Sequence, residues 1–234
     1  MKKAEIGSTV LFYFLIICIF IAATYLASET TSVVAGLIPA VREHTIVIDA
    51  GHGGVDGGAT SCTGVLESGI NLEIALRLND LCHLLGYDTV MIRSTDVSVY
   101  TEGETIAAKK VSDLKERVRI VNETENAVLL SIHQNTFSDS RYSGAQIFYA
   151  AAGESRELAE AMQTMFAQTV NSGNNRLCKK SEGIYLMDHI GCTGILVECG
   201  FLSNPAEEAK LRSADYQKQL CCVMATTAAN FLDH

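Results

Sequence analysis

Apolar and polar positions divide the chain into three stretches. From Ile6 to Ser28 it reads IGSTVLFYFLIICIFIAATYLAS, without a charge. At about 1.5 Å per helical residue such a run crosses roughly 30 Å of hydrocarbon, which predicts one N-terminal transmembrane helix within residues 1–28. Across residues 29–44 no strand or helix period survives and Pro39 interrupts, so this stretch reads as a linker. Residues 45–234 then switch repeatedly between short β-branched runs and amphipathic segments, the pattern of an α/β domain.

Within that domain HTIVIDA is a strand delivering the glycine-rich loop GHGGVDGGA, and INLEIALRLNDLCHLL follows with Ile70, Ile74, Leu78 and Leu81 on one helical stripe. DTVMI is a second strand, after which a polar excursion runs from Ser94 to about Lys110. SDLKERVRIVNE returns to a helical pattern, and AVLLSIH is a third, buried-looking strand. SGAQIFYA, a helix over 154–170, a polar Asn-rich stretch, the short GIYLM and the strand GILVECG complete the alternation. Asn204, Pro205 and Glu207 then occupy the cap, first and third positions of a helix, and a final helix covers about 214–232. Such alternation predicts a three-layer fold: a mostly parallel, mixed sheet with helices on both faces and ligand loops at the strands' C-terminal ends.

Charge and cysteines narrow the partners. Lys2 and Lys3 precede the apolar run, and a basic cytoplasmic flank places the rest of the chain outside the cytoplasm. The expectation is an uncleaved membrane anchor, with a signal sequence and secretion as the alternative. The chain has 18 Lys+Arg against 27 Asp+Glu, a net charge of −9, and so lacks the basic surface a nucleic-acid partner requires. Beyond the apolar run lie Cys62, Cys82, Cys178, Cys192, Cys199, Cys221 and Cys222, without paired CxxC spacing. Their apolar settings predict mostly free structural thiols, with a disulfide as the alternative that export leaves open.

His52 follows the first strand, His133 ends the third and Glu198 ends the last clear one. Parallel strand ends open onto one edge, where Glu67, at the start of the first helix, can also turn. Two imidazoles with a carboxylate suit zinc, and a second carboxylate can then move the proton of an attacking water. Each residue also has a plainer reading: His52 in a tight glycine turn, His133 closing an apolar run, Glu67 beside a helix dipole, Glu198 in search of a partner. His189 is a reserve ligand. No G-x-S-x-G elbow, Walker lysine, G-x-G-x-x-G or H-E-x-x-H is present, so a metal enzyme here gathers its ligands across the fold.

In order, IVIDAGHGGVDGGA, the glutamate of LESGINLEIALRL, DLKERVRIVN, LLSIHQN and GILVECGFLSNPAEEAKL resemble the N-acetylmuramoyl-L-alanine amidase family of zinc enzymes from about residue 45 to 232. The resemblance implies that 45–234 is a catalytic domain holding Zn2+ through His52, Glu67 and His133, with Glu198 as general base and proton shuttle. It implies hydrolysis of the amide between N-acetylmuramic acid and the L-alanine of the peptidoglycan stem. Ala50 stands where the family usually has Pro, and Gln134 where it often has Ala or Leu. Asn135 matches the family's asparagine, and Asn135 and Gln134 are candidates for contacts to substrate or to the ligands. SGAQIFY, the basic patch before DLKERV and EGIYLM resemble the sporulation and germination-specific branch, which implies spore cortex as substrate on the way to muramic lactam. Peptidoglycan, the membrane and an activating protein partner are the expected associates. Another zinc hydrolase such as a carboxypeptidase, or a non-catalytic wall-binding protein, is the alternative.

Overall fold

The alternating strands and helices form a sheet between two helical layers in the computed structural model, which describes Ile17, Thr24 and residues 42–233. Among these residues no helix is long and apolar enough to cross a membrane. Apart from Ile17 and Thr24, the expected transmembrane run lies outside the described residues, as does nearly all of the linker.

The chain runs β1 (Thr45–Ala50), α1 (Glu67–Leu84), β2 (Asp88–Met91), α2 (Ile106–Glu123), β3 (Ala127–Asn135), β4 (Gln146–Tyr149), α3 (Ser155–Gln168), β5 (Lys179–Lys180), α4 (Tyr185–His189), β6 (Thr193–Phe201), α5 (Pro205–Leu211) and α6 (Ala214–Leu232). The sheet order is β2-β1-β3-β6-β4-β5. β2, β1, β3 and β6 are mutually parallel, whereas β4 runs antiparallel to β6 with β5 parallel to it at the edge. From β1 the chain crosses through α1 to β2 on one side, then returns through α2 to β3 on the other. Right-handed crossovers in opposite directions put α1 and α2 on opposite faces. They also open a crevice beyond the C-terminal ends of β1 and β3, where such sheets bind ligands.

Side chains alternate across the sheet accordingly. Ile46, Ile48, Val128, Leu130, Ile132 and Val197 pack with Ile74 and Leu78 of α1, Leu158 and Met162 of α3 and Leu220 and Met224 of α6. Val47, Leu129 and Leu196 face the other way, against Val121 of α2 and Leu186 and Met187 of α4. Fully burying each such side chain contributes about 1.5–3 kcal/mol, so neither layer is dispensable.

Three local differences from the sequence expectation have clear causes. Helix α2 begins at Ile106, inside the expected polar excursion, because the Thr105 side chain accepts from Ala108 N and caps it there. β5 is only two residues long and carries no periodic signal. Asn204 caps α5 by accepting from Ala206 N and Glu207 N, but Glu207 does not return to the cap. Its Oε2 instead accepts from Gly144 N at 2.8 Å and Phe201 N at 3.0 Å, tying α5 to the strand ends. All seven cysteines among the described residues are free.

A buried charge pair ties the sheet to α2. Asp49, in β1, meets Arg117 of α2 and accepts from Ser131 of β3 at 2.6 Å, and both charged side chains are almost fully buried. Burial works to raise the Asp49 carboxyl, but the positive charge of Arg117, helped by His133 and the Ser131 hydroxyl, holds it below its ordinary 3.8. A depressed acid contributes stability above the unfolded value and loses it as pH falls through the lower folded one. Asp49→Asn is expected to cost about 3–5 kcal/mol at neutral pH in urea unfolding, because it strands a buried guanidinium. The gap from wild type should narrow as pH falls below 3.8, where the unfolded chain takes up the Asp49 proton before the native state does, and level off below the native value. A pH-independent gap would mean that the charge of Asp49 is not what Arg117 needs.

Candidate metal centre

β1 stops at Ala50 because the next carbonyls leave the sheet for two arginines. Arg93 donates through Nε to Ala50 O at 2.7 Å and through Nη2 to Gly51 O at 2.9 Å and Ser68 O at 2.8 Å. Arg117 donates to Ala50 O at 3.1 Å and His52 O at 2.8 Å. Held this way, His52 takes a φ of +60°, a left-handed conformation that a non-glycine residue adopts at a cost. The bend turns its ring over the end of β3.

His52 Nδ1 lies 3.0 Å from Asp56 Oδ2, and since a carboxylate has no proton to give, the imidazole donates. This fixes the tautomer and leaves Nε2 toward Glu67 Oε2 at 3.3 Å. Asp56 is in turn paired with Lys110 Nζ at 2.8 Å.

Glu67 opens α1 and is buried, with both oxygens engaged. Oε2 accepts from Ala59 N at 2.9 Å, while Oε1 accepts from Asn71 Nδ2 and Gln134 N, each at 3.1 Å. Oε1 also faces His133 Nδ1 at 3.0 Å. The His52 and His133 rings meet edge-to-face with centroids 5.0 Å apart. Ligand atoms of His52, Glu67 and His133 all lie within 4.8 Å of one another. Two imidazole nitrogens and a carboxylate oxygen, each oriented by a further hydrogen bond or by packing, fit a zinc ion with one position left for water or substrate.

Glu198 lies beside His133 in the β3–β6 register. Its Oε2 is buried and has no hydrogen-bond partner among the described residues, which is costly for a carboxyl group without a task. Burial pushes Glu198 up to about 7, with His133 and His52 drawing it down and Glu67 adding to the rise. Glu67 is driven the other way: burial would raise it, but hydrogen bonds and charge from His133 and His52 hold it far below the ordinary carboxylate range. Burial disfavours the charged form of His52, yet Glu67 and Asp56 together raise it to about 9. The site thus separates a permanently ionised carboxylate from one poised near neutrality, the division an acid–base reaction needs.

The remaining sequence candidates fall around this centre. Asn135 ends β3 two residues past His133, in register with Phe201. Gln134 is buried on the opposite side of the strand, where its Nε2 donates to Asn71 Oδ1 at 3.1 Å. His189 stacks on Tyr185 in α4 and is not among the three converging ligands. Asp49, near His52 in sequence, serves Arg117, while Glu73 accepts from Gln217 at 2.9 Å. Sequence reasoning missed Asp56, Asn71, Arg93 and Arg117. DLKERVRIVN contained Arg117 as a matching segment, but an arginine on an amphipathic helix reads as solvated.

The profile of the family described as N-acetylmuramoyl-L-alanine amidase matches residues 46–229. The chain belongs to this family. The germination-specific N-acetylmuramoyl-L-alanine amidase of Bacillus subtilis is 36% identical over 177 residues, covering 75% of this chain and 74% of the relative. The CwlD amidase of Clostridioides difficile, solved in complex with the GerS lipoprotein, superposes with a TM-score of 0.78 at 35% identity, over 81% of this chain and 98% of that one. The amidase AmiC2 of Nostoc punctiforme gives a TM-score of 0.68 at 26% identity, over 82% and 98% of the two chains. The chain is therefore an N-acetylmuramoyl-L-alanine amidase of peptidoglycan, with a germination-specific homologue.

One position tests the crowding of the amidase site. A Cβ on Gly51 would lie 2.2 Å from His133 Nε2 and 2.3 Å from its Cε1, although the Gly51 backbone is not left-handed. Gly51→Ala is therefore expected to displace the His133 ring rather than the turn, weakening zinc binding about 10–100-fold in a competitive-chelator titration. Zinc affinity equal to wild type would show that the ring does not need this space.

Proposed function

We propose that the chain is a zinc-dependent amidase that cuts between N-acetylmuramic acid and L-alanine in spore cortex peptidoglycan, on the way to muramic lactam. The observation that carries this reading is the convergence of His52, Glu67 and His133 beside the unpartnered Glu198 carboxyl. The germination-specific relative supports the cortex as substrate.

His52, Glu67 and His133 hold the metal, with Asp56 orienting His52 and Asn71 orienting Glu67. Zinc, when bound, supplies Lewis-acid polarisation of the lactyl carbonyl and brings the acidity of water near neutrality. Glu198, free of other hydrogen bonds at Oε2, takes the proton of the attacking water and hands it to the departing amine of L-alanine. Asn135, at the strand end, faces the arriving substrate. The apolar Ile6–Ser28 run with Lys2 and Lys3 before it supports a membrane anchor that keeps residues 45–234 outside the cytoplasm. The relative solved in complex with a lipoprotein supports a protein partner for this chain, whose role we propose to be activating.

Purified cell wall treated with the protein, with and without zinc, should release free stem peptides beginning with L-alanine only when metal is present, as read by mass spectrometry. Release of a terminal residue instead would make the enzyme a carboxypeptidase. Glu198→Gln should keep wild-type zinc content and lose turnover by at least about 100-fold, whereas His133→Ala should lose both zinc and activity. Wild-type zinc content in His133→Ala would remove His133 from the ligand set.

A further inference from the structure

A second cleft opens on the same sheet edge as the metal centre. In the antiparallel β4–β6 pair Gln146 lies opposite Glu198, so the chain leading into β4 runs alongside the residues that follow Glu198. Glu207 clasps the two together through Gly144 N and Phe201 N. Phe201 is three residues beyond Glu198, on the order of 10 Å along the strand. Here a cleft of about 750 Å3 is lined by Arg141, Tyr142, Asn174, Arg176, Asn204 and Lys210, among others.

Arg176 is held in place before any ligand arrives. Its guanidinium carbon lies 5.0 Å from the centroid of the Phe201 ring and 5.7 Å from that of Tyr142, and Nη2 donates to Ser143 O at 3.1 Å. Phe137 packs edge-on against Tyr142 at 4.8 Å and continues the aromatic lip. Stacking fixes the guanidinium plane and leaves further N–H donors in the fork that matches a carboxylate. Arg141 is already paired with Asp139, but neither Arg176 nor Lys210 has a carboxylate partner among the described residues. Glu207 also lines the cleft, with its Oε2 spent on two backbone N–H groups. Two unpaired cations beside one cleft, in a chain of net charge −9, mark a place built for an anion.

The geometry points to this cleft as the subsite for the stem peptide beyond the cleaved bond, with Arg176, supported by Lys210, receiving a free carboxylate of the peptide. The assignment rests on the amidase reading, which puts the scissile amide at Glu198. An extended peptide advances about 3.3 Å per residue, so a stem running from Glu198 along β6 brings its second or third residue to Phe201, the ring on which Arg176 lies. Preorganised Arg176 then selects stems whose acidic side is free over stems in which it is amidated.

The test uses the full-length, zinc-loaded protein and two muropeptides that differ only in a free or amidated carboxyl at the second stem residue. Arg176→Ala should raise KM for the acidic muropeptide about tenfold, with kcat, zinc content and KM for the amidated one little changed. Arg176→Lys should recover part of the difference, since it restores charge without the fork. Equal losses on both muropeptides, or an unchanged KM, would overturn the subsite. Isothermal titration of the free acidic stem tripeptide into Glu198→Gln separates this idea from the amidase reading. Saturable binding that Arg176→Ala abolishes supports the subsite whatever bond is cut, whereas correct cleavage without dependence on Arg176 removes the subsite alone.

Discussion

The structure depends first on two arginines that take up the carbonyls of the turn after β1. Arg93 and Arg117 between them bind Ala50 O, Gly51 O and His52 O, all of which have left the sheet. Buried guanidinium groups are expensive, and here the cost is offset by Asp49, Asp113 and the ring of carbonyls. With those carbonyls satisfied, His52 can hold its left-handed backbone and project its ring over β3. Arg117 comes from α2 and Arg93 from just after β2, so the turn is positioned only when both crossovers have closed. The candidate metal centre is therefore a product of the fold rather than of a preformed local loop.

Around that turn the candidate ligands are packed to the limit of what glycine permits. Gly51 leaves room for the His133 ring, and a Cβ on Gly58 would lie 2.6 Å from Glu67 Oε2 and 2.7 Å from His52 Cδ2. Gly58 also has a φ of +69°, so glycine is required there twice over. Crowding of this kind substitutes for rigidity that loops ordinarily lack, and it fixes ligand directions before a metal arrives. The glycine-rich sequence after β1 is thus spacing for side chains as much as turn chemistry.

Two neighbouring carboxylates have been given opposite characters by their surroundings. Glu67 collects N–H donors and imidazoles and stays ionised, as a metal ligand would have to. Glu198 lies in the strand beside them with an oxygen left without a donor, and burial lifts it to about 7. The contrast suits Glu67 to a ligand's part and Glu198 to a base's, on grounds separate from the likeness to other amidases.

Strand and helix periods, the Asn204–Pro205 start of α5 and the placement of His52, His133 and Glu198 toward the C-terminal ends of strands are legible in the sequence, because each rests on residues close together along the chain, although β3 and β6 run on to Asn135 and Phe201. The charge-free Ile6–Ser28 run is legible for the same reason. The choice between Glu67 and Glu198 as ligand is not, since a carboxylate that starts a helix looks the same locally whether it binds a metal or faces water. Asp56, Asn71, Arg93 and Arg117 gave no local signal, and Arg176 looked like one more residue of a polar, Asn-rich stretch. What they do is decided by partners such as Gly51, Asp49 and Phe201, which are brought to them by the sheet. Local pattern determines which segments are strands and helices; burial, and hence which charges must find partners and which can do chemistry, is settled only when distant segments pack together.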